Sequence, residues 1–346
     1  MNKKLAATSL AIATLLLGAC TAVKDDTPPN TLVALKVAAA PDMNALAADA
    51  VWARARPLTF KLVDGVNFAG GKGETTATLK AAYTADMLYI LVQYQDPTNS
   101  VRRSPFQKQA DGSWKKLVDP QNKGGDDNVY YEDKWAFLWE ASKVRNFDKQ
   151  GCTVGCHLGE GKPYGNKYTR DEGEILDMWH MKGMRTGVVG FVDDQYTDWT
   201  RYDAQKSPNA GRKGDPGGPE YANIPLENGK PKFMHKDGRA ANAGGAYFIR
   251  RGDEVAFDDS RFKAGDEVAA HISNLLQGDR ADVRVVVGWK DGMHTSVMSR
   301  KLVTGSKFDV QWSDLNARYP FGFAAFDNAQ VRHATADEVM FLTFGK

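Results

Sequence analysis

Short runs of alternating apolar and polar residues, separated by Gly- and Asp-rich turns, set the pattern of this chain. Leu58-Thr-Phe-Lys-Leu62 alternates strictly, and residues 76–83 alternate more loosely. Successive side chains of a strand point to opposite faces, so a period of two predicts strands. Residues 87–94 form a strongly apolar strand, and Thr84-Ala85-Asp86 between the two runs supplies a turn. The pair is expected to be a hairpin, stopped by Asp96-Pro97. Further strands are expected at 134–139, 283–289 and 338–344. Many short strands joined by turns predict a mainly β protein, an antiparallel β-sandwich.

Residues 141–250 break the rhythm, with many glycines, the run Asp215-Pro-Gly-Gly-Pro219 and few alternating stretches. The spacing of apolar residues between Glu172 and Arg185 predicts a short amphipathic helix there. A long irregular segment inside a compact domain is usually a functional insertion. The expected fold is therefore a sandwich carrying a long, partly helical insertion at about 141–250.

The amino terminus changes the picture of where the chain works. Lys3 and Lys4 precede the short apolar run 5–17, which is too brief to span a bilayer, since that takes ~20 residues. The run ends in Leu17-Gly18-Ala19-Cys20, a pattern resembling a lipobox, in which Cys20 becomes the acylated first residue. Residues 1–20 read as a lipoprotein signal, 21–44 as a polar tether and lead-in, and 45–346 as the domain. Thr21 after the cysteine points to an exported, lipid-anchored protein on the outer membrane, facing the periplasm. Loss of Lys3 and Lys4 with the signal takes the formal charge from +2 to 0, leaving no basic excess for nucleic acid.

With Cys20 assigned to lipid, two of the three cysteines remain, both in Gly151-Cys152-Thr153-Val154-Gly155-Cys156-His157. Two thiols followed at once by a histidine is the arrangement that attaches haem c: the sulfurs bond the porphyrin vinyl groups and the imidazole binds iron. Three residues separate the cysteines here where two is usual. A disulfide across so small a loop removes little chain entropy, so it is poorly motivated as a staple. Haem c through Cys152 and Cys156 is expected, with haem b or a Cys152–Cys156 disulfide as alternatives.

Four motifs follow one another in order. They are Tyr131-Glu-Asp-Lys-Trp-Ala-Phe-Leu-Trp139, then 151–159 around the cysteines, then Asp177-Met-Trp-His-Met-Lys182 with Arg185-Thr186, then Gly190-Phe-Val-Asp-Asp-Gln-Tyr196. Together with Asp49-Ala-Val-Trp52, Tyr94-Gln-Asp-Pro97 and Phe326-Asp327-Asn328 with His333, they resemble the haem-binding domain of the ethylbenzene dehydrogenase and dimethylsulfide dehydrogenase haem subunits and related periplasmic cytochromes. The resemblance spans roughly residues 45–346. It implies a β-sandwich holding one haem and passing single electrons to a redox partner. It also implies a second ligand near the carboxyl end, where this chain has His333. Family members hold haem b through a methionine where this chain has the Cys-x-x-x-Cys-His motif.

His157 is the first candidate iron ligand and His333 the second, with His180 as the rival and Met178, Met181 or Met184 as thioether donors. His235, His271 and His294 have no motif context and read as structural or solvated. Trp179, Lys182 and Arg185 are candidates for binding haem propionates, which cations and indole N–H groups commonly meet. Trp135 and Trp139 could wall a haem or simply fill the core. The expected function is a monohaem electron carrier that is not itself an enzyme. The alternative is a non-redox lipoprotein, since the sandwich also resembles carbohydrate-binding sheet domains.

Overall fold

The computed structural model describes residues 27–122, 125–156 and 167–346. The signal-like segment, Cys20 and His157 lie outside the described residues. Thirteen strands form one large sheet. In chain order they are β1 (Thr31–Lys36), β2 (Leu58–Leu62), β3 (Thr75–Tyr83), β4 (Met87–Gln95), β5 (Lys134–Glu140), β6 (Leu176–Lys182) and β7 (Asp193–Thr197). They continue as β8 (Arg212–Gly214), β9 (Arg284–Lys290), β10 (Met293–Lys301), β11 (Tyr319–Phe326), β12 (Ala334–Thr335) and β13 (Met340–Phe344). The order across the sheet is β8-β7-β6-β5-β11-β13-β1-β3-β4-β10-β9, with β2 paired to β3 and β12 to β11.

The sheet folds over so that its two halves pack face to face. Trp135, Phe137 and Trp139 of β5 and Phe321 and Phe323 of β11 face Leu79, Ile90, Val92 and Met298 of the other half in one apolar core. Trp135 Nε1 donates to Ser296 Oγ at 3.0 Å across that core, so this indole has its one polar atom satisfied. Val63 and Phe191 make isolated bridges to Thr335 and Arg284, which draw the two halves together at their margins. The architecture is a mainly β sandwich, and within its large sheet pairing is antiparallel except at β1, which lies parallel to both β13 and β3.

The outer face of β3, β4 and β10 is closed by the segment 43–54, whose Trp52 packs on Ala82, Tyr89, Leu91 and Val297. A satellite lobe of small sheets is built from 106–116 and 221–273 around Phe106, Trp114, Ile249 and Ile272. No helix among the described residues is long and apolar enough to cross a membrane.

The expected hairpin forms, with Tyr83 paired to Leu88 and Ala77 to Tyr94. The expected helix over 172–185 is instead strand β6, paired with β5 on one side and β7 on the other. All seven residues of β6 are buried. With the core on one face and side chains of the cleft described below on the other, neither face needs polar residues, and the period of two disappears. Lys182 and Arg185 therefore do not share a helical face. Likewise, 141–250 is not wholly separate from the sheet, because β6, β7 and β8 lie within it.

Candidate functional site

The outer face of β5, β6 and β11 carries a cleft, and its floor follows from strand register. Ala136 of β5 pairs with His180 of β6 and with Ala324 of β11. One step along, Leu138 pairs with Met178 and with Gly322. These residues alternate with the core aromatics of the same strands, so they point away from the core. The small side chains at 136, 322 and 324 leave a hollow, while Phe326 and Leu138 bound it. The hollow holds about 780 Å³ of empty space, counting its open mouth.

Cys152 forms one wall. The segment 144–156 is seated by Val144, Phe147 and Val154, which pack on Leu138, Leu176 and Met178. Gly155, between the two cysteines, is required by this docking: a Cβ there would lie 2.3 Å from Leu176 Cδ1. The Cys152 side chain sits above Gly322, where a Cβ would come within 3.4 Å of Cys152 Cβ and 3.8 Å of Sγ. Burial pushes the Cys152 thiol up, so it is held protonated. Cys156 closes the short helix Thr153–Cys156.

His333 comes from the chain between β11 and β12 and forms the opposite wall with Val331 and Gln330. Its Nδ1 lies 2.8 Å from the Val331 carbonyl oxygen. A carbonyl only accepts, so Nδ1 carries the proton and Nε2 the lone pair, the tautomer of a ligating imidazole. His180 has the reverse tautomer. Arg212 Nη2 lies 2.9 Å from His180 Nδ1 and can only donate, which leaves the proton on Nε2. Burial first, and then the charges of Arg212 and Lys182, hold His180 well below the usual histidine range, so it is neutral. Phe326 packs against both rings, 5.6 Å from His180 and 4.8 Å from His333 between centroids.

The structure thus brings Cys152, His180, His333 and Met178 to one cleft, with Arg212 and Lys167 also on its lining. It places the other candidates elsewhere. Trp179 points into the core, against Trp139 and Trp312. Trp135 and Trp139 are core residues as well. Lys182 is ion-paired with Asp193 and Glu220, and Arg185 with Glu132 and Glu220, the latter at 3.0 Å. Met181 belongs to the core, and Met184 sits under Ser273, whose hydroxyl donates to the Met184 carbonyl oxygen. His271 contacts Arg103, His294 stacks on Tyr94 with centroids 4.5 Å apart, and His235 lies 3.1 Å from Asp237.

Sequence reasoning did not single out Ala136, Gly322, Ala324 or Arg212 for the site. The signal for the floor is present in Tyr319-Pro-Phe-Gly-Phe-Ala-Ala-Phe326, where small residues at 322 and 324 alternate with Phe321 and Phe323. That pattern marks a strand approached closely on its outer side.

Fold and site together define a two-layered β-sandwich protein with a side cleft walled by a cysteine segment and a histidine. The family described as ethylbenzene dehydrogenase matches this chain over residues 49–337, and the chain belongs to it. No curated protein matches the sequence. Among solved structures, the fold is similar to a family 9 carbohydrate-binding module from Caldicellulosiruptor kristjanssonii in complex with glucose, at 8% identity and a TM-score of 0.34, covering 91% of this chain and 95% of that one. A protein from Bacteroides uniformis described as a candidate carbohydrate-binding protein is similar at 10% identity and a TM-score of 0.36, covering 91% and 99%.

Proposed function

We propose that this protein is an exported, lipid-anchored monohaem cytochrome that passes single electrons between redox partners. The observation that carries the reading is the convergence of Cys152 and His333, far apart in sequence, on one apolar hollow with a floor of small residues. A larger side chain at Gly322 would occupy the place that the hollow leaves below Cys152.

In this reading Cys152 and Cys156 would hold haem c, with His157 and His333 as the residues that would bind its iron. Bound haem supplies an iron centre that gains and loses one electron. The chain's own part is to hold that group in a dry, fixed setting. Val331 orients the His333 ring through its Nδ1–H, which puts the lone pair on Nε2. Leu138, Met178 and Phe326 give the cleft apolar surface. His180 is kept neutral and the Arg212 contact commits its Nδ1, so its buried Nε2–H, which has no partner among the described residues, would donate to the bound group rather than ligate iron. Cys20 carries the acyl chains that hold the domain at the membrane.

Expression with a cytochrome c maturation system tests the reading. A red protein whose pigment stays on the polypeptide through acid–acetone extraction is expected. Pigment moving to the organic layer would make the haem b-type, and a colourless protein would leave the non-redox ligand-binding reading. Cys20→Ser should move the protein from the membrane to the soluble fraction with its spectrum unchanged. Wild-type protein found wholly soluble would rule out the anchor.

A further inference from the structure

We propose that Asp177, Asp194, Asp215 and Asp309 form a calcium site on the inner side of the β6–β7–β8 edge of the sheet, under the loop 302–316. This inference does not rest on the haem reading. Asp177 is on β6, Asp194 on β7, Asp215 directly follows β8, and Asp309 is supplied by the loop. All four are buried, with at most 3% of any residue's surface exposed. Carboxylate oxygens of Asp177, Asp194 and Asp309 lie within 4.8 Å of one another, a span that two Ca–O bonds of about 2.4 Å reach across one ion.

The hydrogen-bond inventory points to a ligand. Neither oxygen of Asp194 and neither oxygen of Asp215 has a donor, and Asp177 Oδ1 and Asp309 Oδ1 also lack one. Four of these buried oxygens belong to the three aspartates that approach one another, and Asp215, whose carboxyl is within reach of Asp309, adds two beside them, an all-oxygen set of the kind calcium takes. The remaining oxygens are used: Val310 N–H donates to Asp177 Oδ2 at 3.0 Å, and the Thr304 hydroxyl donates to Asp309 Oδ2 at 2.6 Å. Arg300 lies 3.2 Å from Asp309 and 3.8 Å from Asp177. One guanidinium does not balance four carboxylates. The nearby Arg280 is committed to Asp193 at 2.5 Å.

Burial, and then the charges of the neighbouring aspartates, push Asp215 up to about 9 and Asp194 well above the carboxylate range. Four acids packed this way must either hold protons or share a cation. A site without exposed surface favours calcium over magnesium, which dehydrates reluctantly and keeps several waters. A second buried group, Asp96, Asp133 and Asp327, differs because Asp133 accepts from the Asn328 and Ser100 amides and Asp327 from the Thr98 hydroxyl. Its oxygens are largely satisfied, and it is not assigned a metal.

The experiment is a titration of chelator-treated full-length protein with Ca²⁺ by calorimetry and with Tb³⁺ by luminescence. Trp179 and Trp312, whose rings lie 5.3 and 4.7 Å from the Arg300 guanidinium, would sensitise Tb³⁺ bound there. Saturable binding, Tb³⁺ emission displaced by Ca²⁺, and a Ca²⁺-dependent rise in melting temperature are expected. Asp194→Asn and Asp215→Asn should each abolish all three, while raising the melting temperature of the chelated protein by relieving repulsion. Absence of ion binding by wild type would overturn the proposal in favour of shared protons. Undiminished binding in both variants would overturn it by placing the ion elsewhere. Metal analysis of the purified wild-type protein decides the matter if the variants fail to fold.

Discussion

Arg212 donates to His180 Nδ1 at 2.9 Å, and this one contact distinguishes His180 from His333, its rival as second ligand. The guanidinium has no acceptor to offer, so the His180 proton sits on the buried Nε2. His333, bonded to the Val331 carbonyl through Nδ1, presents a lone pair instead. If the cleft holds haem, His333→Ala should retain the covalent pigment but convert the iron to high spin. His180→Ala should leave a low-spin spectrum. The opposite pattern in optical and EPR spectra would make His180 the ligand and Arg212 a mobile partner.

The floor of the cleft offers a test that leaves every proposed ligand in place. Ala324→Phe and Gly322→Leu fill the hollow from β11 without altering a cysteine or histidine. Each is expected to reduce pigment per polypeptide severely while circular dichroism still reports a β fold. Normal loading of both variants would move the cofactor to another surface.

Lys182 and Arg185 are expected to act on stability and not on the cofactor. Both are buried and converge on Glu220, which they hold well below the usual range although burial pushes it up. Glu220→Gln leaves two cations without their shared partner. Breaking a buried pair in this way costs about 3–5 kcal/mol. Denaturant unfolding should register that loss, with the absorption spectrum of the folded protein unchanged. A shifted spectrum at intact stability would instead connect this network to the cleft.

Acid should weaken the fold partly through His294. Burial holds its pKa at about 3, against about 6.5 in an unfolded chain. The folded state keeps this ring neutral while the unfolded state takes up a proton. The contribution is therefore complete above pH ~6.5 and is lost as pH falls from there towards 3. His294→Phe keeps a ring against Tyr94 and removes the titration. Its melting temperature should fall less steeply than wild type between pH 7 and 4; parallel curves would show that His294 does not contribute.

What the sequence determined by itself was the set of local signals. Alternation at 58–62 and the apolar run at 87–94 specify strands because period two and continuous apolarity survive whatever packs against them. The adjacency of Cys152, Cys156 and His157 is likewise written in the chain, and so is the amino-terminal leader pattern. Other features existed only once the sheet had folded over. Strand β6 was illegible because the core covers one of its faces and cleft or ion-paired residues the other, so no polar alternation remains. The meeting of His333 with Cys152, the tautomers of His180 and His333, and the pairing of Lys182 with Asp193 and Glu220 all join residues from separate strands and loops. Contacts of that kind depend on register and on which face turns inward, and a periodic pattern along one strand carries no information about the side chains that another strand brings opposite it.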